Sequence, residues 1–184
     1  MRPRNILILV AVLAIALTVY FVTQPAEEPT TKPEPAEYVW QFEMDELQHI
    51  KIELPGLEMS ESFLKHEDRQ WYFDYPDGPQ VDSYRWGGGI PALLAGPETE
   101  RSIAKDATEE QLDAYGFTSP LMKMTLTTEN DEVANIVIGS AVPDGSAYYI
   151  RLAESNDVYI IDGLWYEVLE RLVTEPPYAT EEDE

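Results

Sequence analysis

Two histidines, a glycine cluster and a few acidic turns are the places in this 184-residue chain where residue type and spacing suggest chemistry. The cluster is "RWGGGIPALLAG", residues 85–96. A phosphate-cradling loop needs backbone amides opening onto a helix, together with a Lys and a Ser/Thr, or a G-x-G-x-x-G after a buried strand. Here Ile90-Pro91 follows the glycines, no Lys is near, and the preceding "DYPDGPQVD" has the composition of turns. The structural reading is a packing helix, capped by Asp82 and relaxed at Gly87 to Gly89, which Pro91 kinks because it lacks an N–H and crowds the preceding turn. Trp86, Ile90, Leu93 and Leu94 fall at i, i+4, i+7 and i+8, one helical face expected to pack on a sheet.

The histidines offer less. His49 heads a strand pattern and His66 sits in "LKHED" at an expected turn. Neither makes an H-x-x-x-H or H-E-x-x-H spacing, so a zinc site would need distant carboxylates, and no G-x-S-x-G marks a serine nucleophile. No catalytic residue is assigned, and a hydrolase using His49 or His66 is the third-ranked reading. Oxygen ligands cluster in "DYPDG" (74–78), "TENDE" (128–132), "PDGS" (143–146) and "ESND" (154–157). None follows the D-x-[DN]-x-[DN]-G calcium loop, and such residues also build ordinary hairpin turns. No metal or cofactor is expected, although a Ca²⁺- or ligand-binding sensor stays as the alternative to the leading reading. The Glu109-Glu110 pair suits a helix N-terminus.

Position in the cell is easier to argue. "ILILVAVLAIALTVYFV", residues 6–22, is apolar throughout and follows Arg2 and Arg4. A helix of roughly 17 to 25 residues crosses a bilayer, whereas a signal-peptide core spans about 7 to 15 and ends in a small-x-small site that "YFVTQPAEEP" does not supply. Residues 1–5 are therefore expected in the cytoplasm, 6–23 as an uncleaved single-pass anchor in the cytoplasmic membrane, and the remainder outside, periplasmic or extracellular. Without cysteine there are no disulfides, so the outer domain depends on its apolar core. The formal net charge of −23 repels nucleic acid, which is excluded as a partner.

The elements follow from periodicity. Residues 24–37, rich in Pro and Glu, are a spacer, residues 38–177 an α+β domain, and 178–184 an acidic tail expected to be disordered. "HIKIEL" (49–54) puts Ile50, Ile52 and Leu54 on one face. "SFLKHEDRQWYF", "LMKMTLTTENDEVANIVIG" and "AYYIRLAESNDVYIID" each alternate about a polar turn, as hairpins do. "TEEQLDAYG" carries a capping box, Thr108 with Gln111, and stops at Gly116. "GLWYEVLERLV" places Leu164, Val168, Leu169 and Leu172 at helical spacing. The fold class is α+β: an antiparallel sheet of hairpins with two or three short helices packed on it, preceded by one transmembrane helix. In "AYYIRL", Tyr148 and Tyr149 lie on opposite faces of one strand, so one of them is a candidate partner contact.

The order "RQWYFDYP", "PALLAG", "EEQLDAYGFTSP", "IVIG", "GSAYYIRL", "DVYIID" resembles the family called domain of unknown function 4340, over about Gln48 to Pro177. The resemblance implies a bacterial, membrane-anchored extracytoplasmic protein without established catalytic residues. Some members resemble companions of ABC-type transport or gliding-motility systems. "WGGGIP" departs from the family's ordinary amphipathic helix at that place. The leading expectation is thus a non-enzymatic accessory or scaffold protein. It would be held in the bilayer by residues 6–22 and present an acidic domain to membrane-protein subunits, of ABC-transporter type by this resemblance.

Overall fold

The computed structural model divides the chain into two compact units, Met1–Ala36 and Glu37–Glu184. It describes residues 38–86, 89–99 and 101–178, all in the second unit. The expected anchor, the whole spacer, Gly87, Gly88, Glu100 and nearly all of the acidic tail lie outside the described residues. Among the described residues no helix is long and apolar enough to cross a membrane.

Eight strands form one antiparallel sheet: β1 (Leu47–Leu54), β2 (Met59–Lys65), β3 (Trp71–Phe73), β4 (Arg101–Ala104), β5 (Met122–Thr128), β6 (Val133–Ala141), β7 (Ala147–Leu152) and β8 (Val158–Asp162). Their order is β3-β2-β1-β5-β6-β7-β8-β4. The three expected hairpins are β2–β3, β5–β6 and β7–β8. The β2–β3 and β5–β6 reversals place Arg69 and Asp131 in the left-handed region, and β1–β2 uses Glu58 in the same way. Period-two alternation does the rest. Ile50, Ile52, Leu54, Met122, Met124 and Leu126 are buried on one face while His49, Lys51, Lys123 and Thr125 point to the other. Strand β4 was not expected. Its four residues are too few for periodicity to show, and a register shift between Ser102 and Ala104 breaks what alternation there is.

Four helices cover the sheet: α1 (Ser83–Trp86), α2 (Ile90–Leu94), α3 (Glu109–Ala114) and α4 (Gly163–Thr174). The stretch expected as one kinked helix is two short ones. Asp82 Oδ1 accepts from the Tyr84 amide at 2.8 Å to start α1. Pro91 lies in the first turn of α2, where a missing N–H has no intrahelical acceptor to lose, so it opens a helix and does not bend one. Trp86, Ile90 and Leu94 are buried and Leu93 is half-buried. The carbonyls of Leu93 and Leu94 accept from the indoles of Trp165 (3.2 Å) and Trp40 (2.9 Å), whose rings meet edge-on at 6.1 Å. Helix α3 has the expected capping box, with Thr108 and Gln111 each accepting the other's backbone N–H.

Helix α4 differs from its expected phase. Its buried stripe is Trp165, Tyr166, Leu169, Leu172 and Val173, while Leu164 is 69% exposed and Val168 39% exposed. Area decides this. An aromatic ring buries about 150–250 Å², and at about 25 cal/mol per Å² turning Trp165 and Tyr166 inward outweighs burying one Leu and one Val. Tyr166 stacks on Tyr148 at 4.1 Å and donates its hydroxyl hydrogen to Glu170 Oε1 at 3.1 Å.

A second, smaller cluster occupies the other face of the sheet, where Phe117, Ala107 and Leu112 pack on Val158, Val137 and Tyr149. Two glycines make this possible. Gly116 has φ +84°. A Cβ on Gly139 would stand 2.2 Å from the Tyr115 carbonyl oxygen and 3.2 Å from the Phe117 ring. The expected "YG" turn therefore sits directly on the expected "IG" step of β6.

Lys65 is the buried cation of the sheet. Its ammonium donates to the Asp45 carbonyl and lies 2.9 Å from Glu129 Oε1, joining the 3₁₀ turn Met44–Glu46 to the β5–β6 turn. That hydrogen bond, and then the ammonium charge, holds the Glu129 carboxyl below the usual glutamate range.

Gly139→Ala is expected to lower unfolding free energy by about 1–3 kcal/mol, read from urea midpoints, because the atom it meets is backbone and cannot swing aside. For Glu129 the folded value is depressed, so its contribution is present above the ordinary value of about 4.5 and is lost as pH falls through the folded one. The stability gap between the unaltered chain and Glu129→Gln is therefore expected to stay constant from pH 7 to 5 and to close towards pH 3.

Candidate functional site

The strand registers bring one serine, one histidine and one aspartate together on the face opposite the main core. Lys51 pairs with Ser62 and His49 with Leu64, so His49 and Ser62 are diagonal neighbours. Phe63 pairs with Phe73, so Asp74 follows beside Ser62, where its amide donates to the Ser62 carbonyl at 2.8 Å. His49 Nε2 is 2.8 Å from Ser62 Oγ and 3.0 Å from Asp74 Oδ2. Ser62 Oγ donates to that same Asp74 oxygen at 3.1 Å.

These are the residue types of a nucleophilic triad, wired differently. A triad base takes the serine proton on one ring nitrogen while the carboxylate holds the other nitrogen. Here both contacts converge on Nε2. A carboxylate can only accept, so in the tautomer that donates Nε2–H to Asp74 no base lone pair on Nε2 faces Oγ, and the serine hydroxyl donates to Asp74 as well. The cluster ties the β2–β3 edge to β1. His66 is elsewhere, at the β2–β3 turn, stacked on Tyr72 at 4.1 Å. Tyr72 donates its hydroxyl hydrogen to Asp68 Oδ2 at 2.8 Å.

The acidic turns spend their oxygens internally. Asp144 Oδ1 accepts from the Ser146 amide (3.0 Å) and hydroxyl (2.7 Å), which lowers its pKa. Asp157 Oδ1 accepts the Asp106 amide at 2.8 Å, and Glu154 accepts from Asn135 at 2.8 Å. Among the described residues no three His, Asp or Glu side chains are grouped so that they could hold one ion.

Tyr148 and Tyr149 do lie on opposite faces, and both are half-buried. Tyr148 faces α4 against Tyr166, and Tyr149 lies 4.6 Å from the Tyr115 ring in the second cluster. Burial, then the charges of Glu170 and Glu167, raises the Tyr148 pKa.

A concavity among the described residues was not singled out by sequence. It has a volume of about 430 Å³ and opens between α1–α2 and the second half of α4, with Tyr84, Arg85, Trp86, Ile90, Val168 and Arg171 among its walls. Tyr84 is 94% exposed at its rim. Arg85 reaches across to the C-terminal segment, where its two terminal nitrogens donate to the Tyr178 and Glu175 carbonyls, each at 3.2 Å. Tyr178 itself stacks on Phe73 at 4.2 Å; burial first, and a hydrogen bond with Tyr75, push its pKa up to about 12. Sequence placed Val168 with Leu164, Leu169 and Leu172 at helical spacing, and that apolar periodicity did not mark this surface.

Neither curated proteins nor solved structures provide a match to this chain. The family comparison does. The span it matches starts within α2, includes β4 to β8 with α3, and runs into α4, leaving β1 to β3 outside it, narrower than the expected Gln48 to Pro177. Residues 92–172 match the family described as "Domain of unknown function (DUF4340)", and the chain carries a domain of this family.

Proposed function

We propose that this protein is a non-enzymatic accessory subunit whose α+β domain docks onto a membrane-protein partner through its helix-covered face. The observation that carries the reading is the cleft beside α4, bordered by Tyr84 at 94% exposure and continued by the outward Leu164 and Val168. Exposed tyrosine, arginine and aliphatic side chains around a concavity have the composition of an interface centre. The Ser62–His49–Asp74 wiring supports the non-enzymatic part, since it presents no activated nucleophile. The apolar run at 6–22 behind Arg2 and Arg4 supports an anchor in the cytoplasmic membrane with the domain on the outer side. A complex of ABC-transport type, which the family resemblance implies, is the first partner to test.

Mild cross-linking of the full-length protein in its native membranes is expected to give a discrete heteromeric species, reduced several-fold by Val168→Glu. A chain that runs only as an isolated monomer, cross-linked or not, overturns the reading. A fluorophosphonate probe is expected to leave Ser62 unlabelled. Labelling that disappears in His49→Asn shows instead that the cluster is a working nucleophile.

A further inference from the structure

The cleft carries a statement about what fills it, resting on the docking role just proposed. Its inner walls are Ile90, Leu172, Val168 and Pro177, and its volume of about 430 Å³ is in the range of pockets that take small ligands or buried side chains, roughly 300 to 1,000 Å³. The rim is basic. Arg85 donates to two carbonyls, and among the described residues no carboxylate pairs with it. Arg171 meets only Glu175, at 3.5 Å with both side chains largely exposed, which is a weak pair. Two guanidinium groups and one carboxylate leave a positive edge on a chain of net charge −23.

A second, independent feature lies in the wall. Trp86 is 4% exposed, and its indole N–H is buried with no acceptor among the described residues. The other faces of that ring are already packed, on Phe63 at 4.7 Å and Trp71 at 5.5 Å. A buried donor without an acceptor is a standing cost, and the Trp86 ring, as part of the cleft wall, senses what enters there.

We infer that the cleft receives an acidic-apolar segment of the protein partner: an aliphatic side chain seated against Ile90, Val168 and Leu172, with a neighbouring carboxylate on Arg85. A basic segment meets two guanidinium groups at the rim. An anionic lipid has the same local chemistry, but a bilayer surface brings many negative charges towards a domain that is itself strongly negative. A short segment brings one or two, and beyond about 8 Å at physiological ionic strength the repulsion is screened. The contact pair therefore decides for the segment.

The test uses the full-length chain in neutral detergent micelles, with ¹⁵N-labelled indoles so that Trp86 reports directly. The probes are acetylated, amidated pentapeptides of sequence LDLEL, LNLQL and LKLKL. LDLEL is expected to shift the Trp86 indole signal saturably, LNLQL to bind roughly tenfold more weakly for loss of a charge-assisted bond, and LKLKL to leave it unmoved. Arg85→Gln is expected to make LDLEL and LNLQL equal, and Val168→Glu to abolish both, while the other three indole signals show each variant folded.

Equal binding of all three peptides, or no shift at millimolar peptide, overturns the inference. So does a shift produced by phosphatidylglycerol vesicles and not by peptide, or by raising the protein's own concentration. If the heteromeric membrane species is reduced by Val168→Glu but the peptides fail to discriminate as expected, only this assignment falls. If that species is absent from the unaltered protein, the docking role falls with it.

Discussion

Two indole N–H groups hold the end of a five-residue helix, and much of the domain's covering layer depends on them. Helix α2 is far too short to persist by its own hydrogen bonds, and its last carbonyls lie in the core with no helical partner. Trp40, from the segment before β1, satisfies Leu94, and Trp165, from the first turn of α4, satisfies Leu93. The two rings also meet each other. Three stretches distant in sequence are thereby fixed over one face of the sheet, and each indole contributes both area and a satisfied polar group.

The strand order explains why such a fastening is needed. Strand β4 follows β3 in the chain but lies at the opposite edge, beside β8. Residues between them must cross the sheet, and α4 begins at β8 and ends where the Tyr178–Val81 bridge lies near β3. Both edges are guarded. Strand β3 is three residues long and meets Gln80 through a single bridge, while β4 is four residues with a bulge. Short, irregular edges discourage pairing with other chains, so the open surface of this domain is its helical layer and not its rims.

Sequence disclosed most of the sheet and little of the layer above it. The hairpins were legible because alternation over five or more residues, bounded by polar turn residues, has few rival interpretations. The capping box at Thr108 and Gln111 was legible because it is local. Strand β4 was not, since four bulged residues carry no period. Helix α4 was found but placed in the wrong phase, because Leu164, Val168, Leu169 and Leu172 and the stripe of Trp165, Tyr166, Leu169, Leu172 and Val173 are both helical. Only the room for two rings above β1, β2 and β7 separates them. The diagonal approach of His49, Ser62 and Asp74 depends on two registers at once, which no spacing along the chain records.

Composition and wiring are different properties, and the two candidate sites show it in opposite directions. The Ser62–His49–Asp74 group has the residue types of a triad and different connections: one carboxylate oxygen faces both the imidazole Nε2 and the serine hydroxyl. The cleft has residues that no catalytic pattern would select. Its character comes from a packing choice made elsewhere. Burying Trp165 and Tyr166 turns Leu164 and Val168 outward, and the same rotation lines Val168, Arg171 and Leu172 up along one wall. Arg85 reaches from that wall to the Tyr178 carbonyl, and Tyr178 stacks on Phe73. A surface of this kind needs a folded core and no strained backbone, so core stability and the shape of the cleft are demands on the same aromatic side chains.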